Sequence, residues 1–147
     1  MIYIGNVTEL DQNRYDENWL IVRKPDEIPD FVKHEPLLSP SPELFRKYRD
    51  AYYAGEFNQE YFDKVYVPQF IRELANNKAE IELLHAMVSL GEGEDIFLAC
   101  YCEKESMCHR SIIAGILFGM GAEIVTSSEY RKYYEMYQKL KIEKDGE

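Results

Sequence analysis

Three cysteines, one histidine and one arginine fall within eleven consecutive residues, Cys100 to Arg110. The apolar run Ile96, Phe97, Leu98, Ala99 leads into Cys100-Tyr101-Cys102, five polar or flexible residues follow, and Cys108-His109-Arg110-Ser111 opens a second apolar run at helical spacing. This reads as strand, loop and helix start. A helix start gathers unpaired backbone N–H groups and the positive end of the helix dipole at one point. Thiols and a guanidinium at that point suit three chemistries.

The first is an anion pocket. Arg110 offers a bidentate clamp beside the backbone around Ser111, and His109 orients the ligand or moves a proton near neutral pH. The opposing reading pairs Arg110 with Glu103 or Glu105 and leaves His109 a plain polar residue. The second chemistry is a cysteine nucleophile or thiol redox centre. Cys108 is favoured by the helix dipole and Cys100 by its place at a strand end. Phosphatase-like and rhodanese-like cradles put the cysteine five residues before an arginine, and no pair here has that spacing. The third chemistry is zinc on Cys100, Cys102, Cys108 and His109. Ligand pairs usually lie two to four residues apart, and adjacent Cys108-His109 seldom share an ion, so no metal and no other cofactor is expected.

The surrounding chain must position these groups. A short strand over residues 1–7 ends at Gly5-Asn6, and a second over 19–23 ends at Arg23. Residues 24–42 carry five prolines and read as an irregular connection. Ser41-Pro42-Glu43 starts a helix running to about Ala54. Asn58 caps another helix over 59–75, which Pro68 should kink or split. Helices are expected over 79–90 and 111–118, with strands over 95–100 and 122–126. A last helix carries Tyr130, Tyr133, Tyr134 and Tyr137, and the tail from Lys144 onward frays. Alternating strands and helices imply a single small Rossmann-like three-layer α/β domain with a mostly parallel sheet. Ligands of such sheets bind beyond the strands' carboxyl ends, so Asn6, Arg23 and Cys100 should face one crevice. Ser39 and Ser41 are weaker candidates.

The segment LACYCEKESMCHRSIIAGIL resembles the signature of the domain-of-unknown-function 488 (DUF488) family, an apolar strand ending in cysteine, an acidic loop, then Cys-His-Arg opening a helix. Cys100, Cys108, His109 and Arg110 fall on its matching positions. SPSPELFRKYRDAY and FDKVYVPQFIREL resemble its longer members. Cys102 departs from the pattern, standing where an acidic residue is usual, with Glu103 following. The Cys-x-Cys…Cys-His arrangement is also similar to a phage-associated uncharacterised family. Both resemblances imply a Rossmann-like fold and a pocket, without a settled reaction.

The 147 residues carry a net charge of −10. That charge opposes general nucleic-acid binding, while leaving room for a local basic pocket. No apolar stretch approaches a membrane span, no leader pattern opens the chain, and an odd, clustered cysteine count is not a disulfide framework. A cytoplasmic protein is expected, and a phage origin suits the acidic composition. The twelve tyrosines offer stacking surfaces for a base, or core-edge and homo-oligomer packing. Arg46, Lys47 and Arg49 read as a solvated face that would complete an anion site only if it lay across the pocket. The expected function is recognition of an anionic, phosphorylated or nucleotide-like small molecule, with hydrolysis or transfer as an extension. Cysteine-dependent catalysis is the main alternative and a tyrosine-based protein adaptor the third.

Overall fold

In the computed structural model, residues 1–145 are described, with side chains through Lys141. Four strands form one all-parallel sheet: β1 (Ile2–Asn6), β2 (Glu17–Leu20), β3 (Val32–His34) and β4 (Ile96–Cys100), in the order β1-β4-β2-β3. The small Rossmann-like α/β domain read from the sequence is therefore the fold. The last strand in the chain fills the slot between β1 and β2, pairing Asn6 with Cys100 on one side and Leu20 with Ala99 on the other. Flanked on both edges, β4 is buried along its whole length. This explains why its sequence, IFLAC, is uniformly apolar instead of alternating.

Helices α1 (Pro42–Tyr53), α2 (Gln59–Tyr61), α3 (Val67–Ala75) and α4 (Lys78–Gly93) fill the connection from β3 to β4, and α5 (His109–Gly119) and α6 (Arg131–Asp145) follow β4. Ser41 caps α1 as its sequence predicts, with its side chain accepting from the Leu44 N–H and Pro42 at the first position. Between α2 and α3 the chain widens into a π turn, Phe62–Tyr66, where the Val67 N–H donates to the Phe62 carbonyl. Pro68 has no N–H to give and its ring crowds the preceding turn, so the helix opens there instead of breaking.

Two expectations are corrected. The proline-rich segment 24–42 contains β3, whose three residues pair with Asn18, Trp19 and Leu20 of β2. The strand expected over 122–126 shrinks to one bridge, Ile2 with Ile124, flanked by the Ile2 N–H to Glu123 and Val125 N–H to Ile2 hydrogen bonds. Smaller shifts lengthen α4 to Gly93 and start α5 at His109, two residues before the expected position. Of the tail expected to fray, Lys144 and Asp145 belong to α6, and residues 146 and 147 lie outside the described residues. One apolar core joins β4, β2, α3, α4 and α5, and Tyr133 and Tyr137 of α6 pack into it. No helix is long and apolar enough to cross a membrane among the described residues.

Candidate functional site

The carboxyl ends of β1, β2 and β4 converge, and the segments leaving β2 and β4 frame a cavity of about 500 Å³. Val22, Arg23 and Lys24 come from the exit of β2. Pro40, Pro42, Phe45, Arg46, Tyr48 and Arg49 come from the proline-rich loop and α1. Tyr66 comes from the π turn, and Tyr101, Cys102, Met107, Cys108 and His109 from the β4–α5 loop. Four of these residues are Arg or Lys and none is Asp or Glu.

The helical spacing of Arg46 and Arg49 turns both to the cavity, while Lys47 between them reaches out to Gln69. Arg49 also approaches Asp50 at 3.8 Å, an exposed pair of little energetic weight. Arg23 is held by its Nε donating to the Pro40 carbonyl at 2.8 Å, which fixes the guanidinium at the cavity's edge. Tyr101 closes one side, its hydroxyl accepting from the Asp26 N–H. Burial pushes the Tyr48 hydroxyl up to about 12, with the nearby thiols adding to the shift, so it remains a neutral donor.

On the other side of this lining lies a compact sulfur cluster. The Sγ atoms of Cys100, Cys102 and Cys108 all lie within 4.8 Å of one another, and those of Cys100 and Cys108 are 3.0 Å apart. Cys100 and Cys108 are buried and Cys102 is half-buried. Arg110 Nη1 donates to Cys100 Sγ at 2.9 Å and to the Cys102 carbonyl at 2.8 Å. Hydrogen bonding from Cys102 and Cys108 holds the Cys100 thiol far below its usual range, with His109 and Arg110 adding charge that favours the thiolate. Donating to Cys100 pushes Cys102 up, and burial together with the same donation raises Cys108. The three thiols are thus pushed apart in pKa, Cys100 down and Cys102 and Cys108 up, beside a buried guanidinium.

His109 Nε2 sits 2.6 Å from the Ile21 carbonyl at the end of β2, while Nδ1 lies 3.6 Å from Cys108 Sγ. A carbonyl only accepts, so Nε2 carries a proton, and Nδ1 is the ring nitrogen turned toward sulfur. Phe70 meets the ring edge-on at 5.8 Å and fixes its plane.

The expected site residues therefore separate in the structure. Arg23, Cys102, Cys108 and His109 border the cavity. Cys100 and Arg110 belong to the sulfur cluster and are absent from the lining; Arg110 turns inward, where Nη1 donates to Cys100 Sγ and the Cys102 carbonyl. The pairing of Arg110 with Glu103 or Glu105 does not occur, and Glu105 instead accepts from the Tyr130 hydroxyl. Asn6 serves the loop: its Nδ2 donates to the carbonyls of Tyr101 and Cys102, and its Oδ1 accepts from Thr8. Ser111 is fully buried, its hydroxyl donating to the Cys108 carbonyl inside the first turn of α5. Ser41 and Ser39 face a second, smaller hollow with Glu73. Lys24, Tyr101 and Met107 escaped sequence reasoning, since nothing in their local pattern marks them.

A family model described as the active DUF488-N3 subclade, DUF488-N3a, matches residues 4–121. The chain belongs to this family. The matched span runs from β1 to the end of α5, so it takes in every cavity and cluster residue named above, while α6 lies outside it. No curated protein and no solved structure matches the chain.

Proposed function

We propose that this DUF488 protein binds an anionic small molecule, phosphorylated or nucleotide-like, in the cavity at the strand ends. One observation carries the reading: four cations and no carboxylate line that cavity in a chain of net charge −10. In an acidic protein such a pocket focuses field lines and gathers anions that the rest of the surface repels. Its volume falls in the range of small-molecule sites. Phe45, Tyr48, Tyr66 and Tyr101 add aromatic faces for a ring. The clamp in this reading is Arg46, Arg49, Arg23 and Lys24; Arg110 supports the loop behind it.

The test is calorimetric titration with inorganic phosphate, pyrophosphate and a panel of nucleotides. A micromolar to millimolar response is expected for at least one, weakening with salt. Arg46→Ala and Arg49→Ala should each lower affinity about tenfold, the scale of one charge-assisted hydrogen bond. No heat with any anion, or affinity indifferent to both substitutions, would remove the reading.

A second reading, cysteine-dependent hydrolysis or transfer on the bound molecule, is favoured by Cys102 and Cys108 opening on the same cavity, with Nδ1 of His109 3.6 Å from Cys108 Sγ. The subclade's description as active accords with it. Product formation from a bound nucleotide, lost in Cys102→Ser and Cys108→Ser, tests it. The tyrosine adaptor draws no such support from the last helix, where Tyr133 and Tyr137 are core residues.

A further inference from the structure

We infer that Cys100, Cys102 and Cys108, with Nδ1 of His109, form a site for a thiolate-preferring divalent ion, zinc above others. Three features of the cluster point there together.

The first is convergence. Tetrahedral zinc with Zn–S bonds near 2.3 Å sets its sulfur ligands roughly 3.8 Å apart, and a sulfur and a nitrogen ligand roughly 3.5 Å apart. The three Sγ atoms here lie within 4.8 Å of one another; His109 Nδ1 is 3.6 Å from Cys108 Sγ but outside that close group, so its ring must shift inward to become the fourth ligand. Seating an ion asks Cys100 and Cys108, now 3.0 Å apart, to part by less than about 1 Å.

The second is the set of the histidine. Metal-bound imidazoles almost always donate their other N–H to a carbonyl or carboxylate, which fixes the tautomer and aims the lone pair at the ion. His109 already does this through Nε2 and the Ile21 carbonyl at 2.6 Å, although no ion is needed for that bond to form. Adjacent residues seldom share an ion because their side chains usually diverge. Here Cys108 is the residue before α5 in extended backbone and His109 the first helical residue, and the bend between them brings Sγ and Nδ1 to one side.

The third is charge. Three thiolates, a neutral imidazole and a divalent cation sum to −1, and a single buried guanidinium, Arg110, sits at 2.9 Å from Cys100 Sγ to neutralise it. No carboxylate forms an ion pair with Arg110 among the described residues, and its Nε is buried without a hydrogen-bond partner there. A hydrogen bond from Arg110 to a metal-bound sulfur would persist as support to the ligand. The ion would pin the β4–α5 loop to the end of β2 and so hold one wall of the cavity; anion binding and metal binding remain separate claims.

The experiment uses the full chain, reduced and stripped of metal, titrated with cobalt(II) and with zinc. The expected result is one ion per chain, with a thiolate-to-cobalt charge-transfer band and the intense visible bands of tetrahedral cobalt, both displaced by zinc. Cys102→Ser, at the half-buried position, should weaken zinc binding at least tenfold and dim the charge-transfer band while the far-ultraviolet circular dichroism holds. His109→Gln should change the visible bands and keep the thiolate band. Reduced wild-type protein that binds neither ion would overturn the proposal, as would cobalt spectra without thiolate character. A Cys100–Cys108 disulfide in the purified protein, with no metal uptake after reduction, would equally overturn it in favour of redox chemistry.

Discussion

The guanidinium of Arg110 donates to Cys100 Sγ at 2.9 Å, so the first turn of α5 folds back on the last residue of β4. Both residues are buried. The arginine that sequence alone assigns to a ligand is thereby a structural cation, paired with sulfur where other proteins use a carboxylate. Arg110→Ala should leave that sulfur without its counter-charge and cost about 3 kcal/mol, as loss of one partner from a buried pair does. Urea unfolding of the variant should show a midpoint well below wild type. An unchanged midpoint with lost anion affinity would return Arg110 to the ligand.

Helix α5 and the turn before α6 approach so closely at Gly115 that a Cβ there would lie 1.9 Å from the Tyr130 carbonyl oxygen, a backbone atom that cannot swing away. Gly115→Ala should therefore cost about 3 kcal/mol, at the upper end for overpacking. At Gly119 the obstacle is the base of the Tyr134 side chain, Cγ at 2.0 Å and Cβ at 2.4 Å, which ring rotation cannot clear, so Gly119→Ala should cost a similar amount. Thermal melts of the two variants check this; a melting temperature unchanged from wild type in either would contradict the packing described.

Ser41 joins two elements. Its hydroxyl caps α1 and donates to Glu73 of α3, and its own N–H donates to the same carboxylate at 3.0 Å. Ser41→Ala should lower stability by about 1 kcal/mol through the lost cap. Because α1 carries Arg46 and Arg49, it should also weaken anion binding severalfold. Calorimetry beside chemical unfolding separates the two effects, and full binding in a destabilised variant would uncouple cap from pocket.

Several tyrosines ionise late. Burial pushes Tyr133 and Tyr130 up to about 12, and Tyr130 gains a further rise by donating to Glu105. In the unfolded chain both would titrate near 10.0. Above that pH the unfolded state releases protons the folded state keeps, so stability is complete below pH 10 and falls as pH rises through about 12. Urea midpoints from pH 9 upward, read beside tyrosinate absorbance, should show that decline and a late ionising group. A single ionisation wave near pH 10 with steady midpoints would contradict it.

Legibility followed the range of the interactions. The strand into Cys100, the capping serine and proline of α1, Asn58 before α2 and the break at Gly55, which has φ +71°, all rest on neighbours a few residues apart, and sequence predicts them. Pro68 announced a disturbance, and only packing selected a π turn over a kink. Strand β3 was hidden because three residues among prolines carry no period; its identity comes from the β2 edge it pairs with and from Lys33 lying 4.2 Å over the Trp19 ring.

The sequence by itself determined the α/β class, the strand–loop–helix that presents the cysteine block, and the family. Local propensity, capping and apolar runs are written in consecutive residues. Tertiary structure decided which groups share a space. It brought Arg46 and Arg49 of α1 across to Cys102 and Cys108, turned Arg110 away from that cavity, and gathered the sulfurs of Cys100, Cys102 and Cys108. Those outcomes depend on β4 inserting between β1 and β2, a long-range pairing of residues 94 and 79 positions apart in the chain. No local pattern encodes that meeting, because its stabilisation comes from burying β4 on both edges and from charges that find partners only once the sheet is closed.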